Sequence, residues 1–166
     1  MSAESPSIAI CPGSYDPVTN GHLDIIGRAS RIFDRVVVGV VNQAIRKQKT
    51  LFSADERAGF LERATADLDN VEIKVFSNLL VEFARDNGAK AIVKGLRAIS
   101  DFEYEFEMNQ LNRKLAPEIE SAYVMASSEF SFLSSTGVKE LATFGGDVSD
   151  LVPAEVAVAL QERIQR

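Results

Sequence analysis

Cysteine and histidine are almost absent from this 166-residue chain, which contains one of each. A single cysteine, Cys11, cannot form an internal disulfide, so a disulfide framework is excluded and a reducing compartment is expected. The one histidine, His22, leaves no Cys/His cluster with metal-site spacing, and no Ser/His/Asp set is suggested around it. The sequence therefore predicts no protein-built metal site.

Long apolar runs and an excess of positive charge are also missing. No apolar run of about 18 residues occurs, and residues 1–6 lack the basic and apolar regions of a signal peptide. The formal net charge of −6 argues against broad binding to nucleic acid or to an anionic membrane. We therefore expect a cytoplasmic protein with neither kind of partner. A small anionic ligand stays compatible, because one local cluster of Lys and Arg is enough to bind it.

Strand and helix patterns alternate along the whole chain, and no repeat or linker interrupts them. The length fits one domain, and 46% apolar with 25% charged residues is a typical globular balance. The β-branched run at 35–42 predicts a strand covered on both faces. We expect a single α/β domain over residues 1–166 with a doubly wound, parallel, five-stranded sheet. The predicted strands are 8–11, 35–42, 71–76, 91–96 and 121–126; the predicted helices follow Gly21, open at 53–56, span 79–87, 101–115 and 137–144, and start at Pro153.

The stretch 8–30 organises the chain. A short apolar strand leads through a glycine-bearing loop into a helix, which directs backbone N–H groups and the helix dipole toward an anion. Residues 19–22, Thr-Asn-Gly-His, form the T-x-G-H phosphate-site motif of nucleotidyltransferases. Gly21 allows close approach of a ligand, and His22, neutral or charged, can donate to phosphate oxygens. A helix start with an accidental histidine is the alternative for this motif alone.

Two further segments bring cations to the same predicted edge of the sheet. Residues 94–97, Lys-Gly-Leu-Arg, end the fourth strand, and the loop after the second strand contains Arg46, Lys47 and Lys49. Ligands of doubly wound sheets bind beyond the carboxyl ends of the strands, so we expect these cations to face the T-x-G-H turn. Solvated loop ends are the alternative.

The segments 101–115 and 127–136 each allow more than one interpretation. Acidic and aromatic residues alternate at the start of the first, which we interpret as a helix with one apolar and one wet face. Its carboxylates are then solvated, and a paired-carboxylate hydrolase is the alternative. The second segment is rich in serine and offers donors for phosphate or ribose at a helix start, although ordinary loops share this composition.

Taken together, these segments resemble the bacterial phosphopantetheine adenylyltransferases of the T-x-G-H nucleotidyltransferase superfamily. The resemblance implies a dinucleotide-binding-like nucleotidyltransferase fold. It also implies transfer of the adenylyl group of ATP to 4′-phosphopantetheine, giving dephospho-coenzyme A and pyrophosphate, with Mg²⁺. In-line attack without a covalent intermediate, a homo-hexamer, and coenzyme A as a feedback ligand are further implications. The matching pieces run in order over nearly the whole chain: 12–22, 94–98, 101–105 with 112–113, 131–135 with 138–140, 145–148 and 151–153.

The resemblance also assigns roles to single residues. His22 would stabilise the transition state, and Ser14 would hold the transferring phosphate. Lys94 and a loop lysine would hold the pantetheine phosphate; we expect Lys47 as the catalytic loop lysine, with Lys49 as the alternative. Leu80, Tyr104 and Asn112 would contact pantetheine. The ATP side would comprise Ser14, Tyr15, His22, Gly95, Leu96, Arg97, Glu105, Phe130, Ser131, Phe132, Leu133, Ser134, Ser135 and Thr136.

Two other functions stay open at the level of sequence. A sister nucleotidyltransferase would act on nicotinate mononucleotide or a cytidyl substrate. A non-catalytic sensor of coenzyme A or nucleotides would keep the fold, but it would not require His22. Two residues depart from the family pattern: Ser14 stands where threonine is common, and Lys94 stands where arginine is also found, which keeps the charge without bidentate geometry.

Overall fold

The protein forms one parallel five-stranded sheet with the strand order β3-β2-β1-β4-β5. The computed structural model describes residues 5–42 and 49–165. The predicted α/β doubly wound fold is confirmed. The strands are β1 (Ile8–Gly13), β2 (Arg35–Val41), β3 (Val71–Phe76), β4 (Ala91–Leu96) and β5 (Glu120–Met125). The helices are α1 (Asn20–Ser30), α2 (Ala54–Ala64), α3 (Leu80–Asp86), α4 (Ile99–Leu115), α5 (Ser135–Thr143) and α6 (Ala154–Ile164), with a 3₁₀ turn at Ser128–Phe130.

The central strands are buried on both faces, which explains their unbroken apolar sequences. Successive residues of a strand point to opposite faces, so Val37 and Val38 enter different apolar clusters. The cluster around Val38 includes residues of α1, α2, α5 and α6, and the cluster around Val37 includes residues of α3. Helices therefore cover both sides of the sheet, and its carboxyl edge is left for the loops.

Three of the element boundaries differ from the predicted ones by two residues, each for a local reason. β1 runs on to Gly13 because its pairing with β2 continues beyond Cys11. α4 begins at Ile99 because the Asp101 carboxylate accepts backbone N–H bonds from residues 97 and 98, and so caps the helix from inside its first turn. α5 begins at residue 135 because the Ser134 hydroxyl accepts the Gly137 N–H at 3.0 Å.

Helix α4 has an apolar side that the described part of the chain leaves uncovered. Phe102 and Phe106 are 55% and 54% exposed, and Leu115 is 54% exposed. No residue of α4 is buried within the described structure. Among the same residues, no helix combines the length and the apolar character needed to cross a membrane.

Candidate active site

A cleft of about 600 Å³ opens beyond the carboxyl ends of β1 and β4. The strand order reverses between these two strands, which is where doubly wound folds bind their ligands. The cleft is lined by the loop after β1, the start of α1, the end of β4, the first turns of α4 and the segment around 130–136. It brings together most of the residues predicted for the site: Ser14, Tyr15, His22, Lys94, Gly95, Arg97, Tyr104, Glu105, Phe130, Leu133, Ser134, Ser135 and Thr136.

The other predicted residues lie elsewhere, and their roles stay predictions. Leu96 lines a shallow apolar groove with Ile99 and Phe102 instead of the cleft. Lys49 is exposed, and Lys47 lies outside the described residues. Four more do not line the cleft in the described structure: Leu80 at the start of α3, Asn112 near the end of α4, and Ser131 and Phe132.

The T-x-G-H motif owes its spacing to a helix cap. Thr19 is the cap residue of α1, and its hydroxyl accepts the backbone N–H of His22 at 3.3 Å. In return, Nδ1 of His22 accepts the backbone N–H of Thr19 at 3.0 Å. The histidine thus occupies the position that glutamate or glutamine takes in an ordinary capping box. The first turn of the helix fixes the imidazole ring.

The same hydrogen bond determines the tautomer of His22. A backbone N–H can only donate, so Nδ1 carries no proton in this arrangement, and the neutral ring carries its proton on Nε2. Burial, and then the charge of Arg97, lower the pKa of His22 to about 4. The sequence left the charge of this ring open, and at neutral pH the ring is uncharged. Nε2 makes no hydrogen bond to residues 5–42 or 49–165, so its N–H is available to a ligand in the cleft.

Tyr15 shapes the loop between β1 and α1. Its backbone has φ +49°, in the left-handed region, which turns the chain sharply after Ser14. The Tyr15 hydroxyl donates to the Cys11 carbonyl at 2.9 Å, and its ring meets the His22 ring edge-on at 5.0 Å. Tyr15 is buried while Ser14 is exposed, so the turn places Ser14 at the lining of the cleft.

Gly95 has a packing role that the sequence did not reveal. A Cβ atom on residue 95 would lie 2.9 Å from Cγ1 of Ile25, so β4 and α1 can pack closely only with glycine there. At Gly21 the nearest heavy atom would lie 3.5 Å from the added Cβ, an ordinary contact. The close neighbour that requires glycine at position 95 is thus Ile25.

The cations of the cleft are paired with carboxylates. The Lys94 ammonium contacts both carboxylate oxygens of Glu105, at 2.9 and 3.1 Å. The Arg97 side chain donates to Asp101 at 3.2 Å and to the Leu133 carbonyl at 2.8 Å. Burial opposes ionisation of Asp101, but hydrogen bonds from Arg97 lower its pKa overall. An anionic ligand must therefore share these cations with their counter-ions.

The acidic side chains of the cleft do not support the paired-carboxylate hydrolase that we considered as an alternative. Asp101 and Glu105 each pair with a cation, so the described residues do not support a hydrolase acid pair. Within the same part of the chain, no group of three or more His, Cys, Asp or Glu side chains could hold a metal ion.

The hydroxyls of the serine-rich segment build the loop that they belong to. Ser135 donates to the Pro17 carbonyl at 2.7 Å, and Ser127 donates to Asp24 at 2.8 Å. Ser134 caps α5, whose first turn lines the cleft. These serines therefore contribute to an anion site mainly by positioning the amino end of α5, and less by offering free hydroxyl groups.

The sequence analysis named Thr19 only as part of the motif and not as a helix cap, and it missed Asp16 and Arg57. Thr19 had a readable signal, because a threonine three residues before a side-chain acceptor is the pattern of a capping box. Asp16 and Arg57 are buried, and their partners include groups of distant segments. No local pattern could have shown their contacts.

Comparison with known proteins gives concordant matches. The model of the cytidylyltransferase-like family matches residues 10–141. The chain is similar to the phosphopantetheine adenylyltransferase of Rubrobacter xylanophilus, with 56% identity over 160 residues and 96% of each chain covered. It is 51% identical over 150 residues to the protein of that name from Clostridium tetani, covering 90% of this chain and 92% of the relative.

A solved structure matches the same fold. It is the bifunctional NMN adenylyltransferase/ADP ribose pyrophosphatase from Francisella tularensis, with a TM-score of 0.72 and 17% identity. The match covers 98% of this chain and 51% of that one. At this identity, the likeness is evidence for the fold alone.

Proposed function

The chain belongs to the phosphopantetheine adenylyltransferase family, and we propose that its cleft transfers the adenylyl group of ATP to 4′-phosphopantetheine. The products are dephospho-coenzyme A and pyrophosphate, a step of coenzyme A biosynthesis. One structural observation supports the assignment of this chemistry to this cleft. A neutral imidazole is held by its own helix cap, with Nε2–H available beside a phosphate-binding helix start.

The reaction proceeds by in-line attack. A phosphate oxygen of phosphopantetheine forms a bond to the α-phosphorus of ATP, and the bond from that phosphorus to the bridging oxygen of pyrophosphate breaks. The attacking phosphate is already an anion, so no enzyme group needs to accept a proton or form a covalent intermediate. The protein therefore acts by positioning and by stabilising charge on the α-phosphate oxygens.

His22 supplies the central stabilising contact. Its Nε2–H donates to an α-phosphate oxygen, and the bond strengthens as charge grows there in the transition state. The amino end of α1 adds its dipole, and Gly21 keeps that backbone accessible. Ser14 holds the transferring phosphate through its hydroxyl, and the turn at Tyr15 places this residue at the lining of the cleft.

The two cations divide between the substrates. Lys94 holds the phosphopantetheine phosphate together with a loop lysine, Lys47 or Lys49, and Tyr104 lies on the same side. Arg97 belongs to the ATP side with Glu105 and the segment 130–136. Because Lys94 and Glu105 form one ion pair, acceptor binding and ATP binding meet at this pair.

In this proposal the phosphates of ATP would hold Mg²⁺. Mg²⁺ keeps several water ligands and commonly binds through substrate phosphates with one or two carboxylates. Asp101 and Glu105 lie at the cleft, but each is engaged by a cation, which fits an ion held mainly by the phosphates of ATP. When bound, it neutralises charge on the leaving pyrophosphate.

Assembly, location and regulation are further parts of the proposal. The uncovered apolar side of α4 supports the homo-hexamer, because a second copy of the chain can cover it. Static light scattering should then give six times the chain mass. The free, buried Cys11 supports the cytoplasm as the location. Coenzyme A, which contains the phosphopantetheine arm, should compete with the acceptor.

The direct test follows pyrophosphate. Purified protein is incubated with ATP, Mg²⁺ and 4′-phosphopantetheine, with nicotinate mononucleotide as the control acceptor and CTP as the control donor. We expect release only with ATP and phosphopantetheine, and dephospho-coenzyme A in equal amount. Release with a control substrate instead would identify a sister transferase, and binding of ATP without release would identify a sensor.

A further inference from the structure

Arg57 is a buried cation whose hydrogen-bond partners in the described part of the chain are all backbone carbonyls. It lies in α2, and 1% of its surface is exposed. Its guanidinium donates four hydrogen bonds, to acceptors in three separate segments of the chain. The acceptors are the carbonyls of Ser14 (2.5 Å), Val41 (3.0 Å), Phe52 (3.1 Å) and Ser53 (3.2 Å).

Asp16 joins the same segments from the other side. Its buried carboxylate accepts the backbone N–H groups of Leu51 and Phe52, at 2.8 and 2.9 Å. It also accepts a bond from the Lys139 ammonium at 3.0 Å, which links it to α5. Burial lowers the pKa of Arg57, and the charge of Asp16 opposes that effect. The two opposite charges thus stabilise each other inside the fold.

The geometry of these contacts requires a guanidinium. Burying a cation costs free energy, and an apolar side chain of similar volume often stabilises a fold equally well. An apolar residue, however, could not satisfy carbonyls that converge from three directions, whereas the planar guanidinium carries five donors in a fixed fork. The converging segments are the loop that presents Ser14, the end of β2, and the start of α2.

We propose that Arg57 is a positioning residue for adenylyl transfer, acting through the backbone of Ser14. It ties the carbonyl of Ser14 to the end of β2 and to residues 52 and 53, and so holds the Ser14 hydroxyl at a fixed place in the cleft. The inference rests on the proposed function, because Ser14 is assigned there to the transferring phosphate. Arg57 itself is buried beneath the loop and contacts no substrate.

The test compares Arg57→Lys with Asn70→Ala. Lysine keeps the charge, but its single nitrogen cannot reach all four carbonyls. Asn70 is the matched control, because its side chain also donates to two backbone carbonyls, Ser30 at 2.8 Å and Phe33 at 3.0 Å, at the opposite edge of the sheet. Both variants are assayed with ATP, Mg²⁺ and 4′-phosphopantetheine, at a temperature where circular dichroism shows them folded.

We expect the kcat of Arg57→Lys to fall by about 10- to 100-fold, because a small misplacement of a group at the reacting centre costs that much. The KM for ATP should stay within about threefold of the wild-type value. Asn70→Ala should keep the wild-type kcat. Amide exchange supplies a readout that needs no turnover. In Arg57→Lys it should quicken at residues 14–16 and 51–52, while the β1 and β2 amides keep their protection.

The outcomes separate this inference from the proposed function. If wild-type protein releases no pyrophosphate, the proposed function fails, and amide exchange still decides whether Arg57 holds the loop. If wild-type protein turns over and Arg57→Lys keeps its kcat, the positioning role is refuted and the function stands. Arg57→Gln replaces the lysine variant if that one does not fold. Loss of folding in both would also refute the role, because Arg57 would then support the whole fold.

Discussion

Acidification should destabilise the protein through His22 in a range where few other groups titrate. His22 is the only histidine of the chain, and its pKa of about 4 lies below the ordinary value of 6.5. As the pH falls through 6.5, the unfolded state binds a proton that the folded state rejects. Stability contributed by the neutral ring is therefore present above pH 6.5 and is lost as the pH falls toward 4.

The magnitude follows from the two pKa values. Each pH unit between them costs about 1.4 kcal/mol, so the full difference is about 3 kcal/mol. The matched control is His22→Gln, because glutamine at this position can close the same capping box without titrating. Carboxylates that titrate below pH 5 contribute alike to both proteins.

The assay is urea denaturation of both proteins at pH 8, 7, 6, 5 and 4.5. The free energy of unfolding of the wild type, minus that of His22→Gln, should be constant above pH 7 and should decrease steadily below 6.5. A difference that stays flat down to pH 4.5 would show that the ring titrates normally in the folded state. The claim that the fold keeps this ring neutral below pH 6.5 would then be refuted.

Three further predictions concern the cleft. His22→Ala should lower kcat by about 10²- to 10³-fold, measured by pyrophosphate release, while the Kd for ATP changes by less than about threefold. If ATP affinity falls as much as kcat does, His22 is a binding residue. Gly95→Ala should lower the free energy of unfolding by about 1–3 kcal/mol, measured by thermal unfolding, because the added Cβ would meet Ile25. Adding Ile25→Val to this variant should recover part of the lost stability. Glu105→Gln should tighten phosphopantetheine binding about 3- to 10-fold in calorimetry, because Lys94 loses its counter-ion. Weaker binding would contradict the assignment of Lys94 to the phosphopantetheine phosphate.

The fold could be predicted because its signals are local. The valine-rich run at 35–42 has no polar alternation, and it is the strand β2, buried on both faces. The same edge of the sheet gathers His22, Lys94 and Arg97, as the topology of parallel strands required. The alternation of strands and helices therefore placed the T-x-G-H turn and the end of β4 at the cleft, and the family resemblance supplied most of its other residues.

The contacts inside the cleft could not be predicted, because their partners are distant in sequence. Gly95 of β4 packs against Ile25 of α1, and the acceptors of Arg57 include a carbonyl 43 residues away. The ion pair of Lys94 with Glu105 joins a strand to a helix. The family resemblance assigned these two residues to different substrates, and nothing in the sequence showed that they are in contact. The spacing of residues predicts a helix or a strand, but the neighbours of that element are known only from the folded structure.

The stereochemistry at the transferred phosphorus tests the central claim most directly. The protein is given ATP with sulfur at the α-phosphorus in one configuration, and the configuration of the resulting thio-analogue of dephospho-coenzyme A is determined by ³¹P NMR. A single in-line displacement between the two bound substrates inverts the phosphorus, and inversion is the result we predict. Retention would require two displacements and a covalent adenylyl-enzyme, and would contradict a cleft that acts by positioning and charge stabilisation alone.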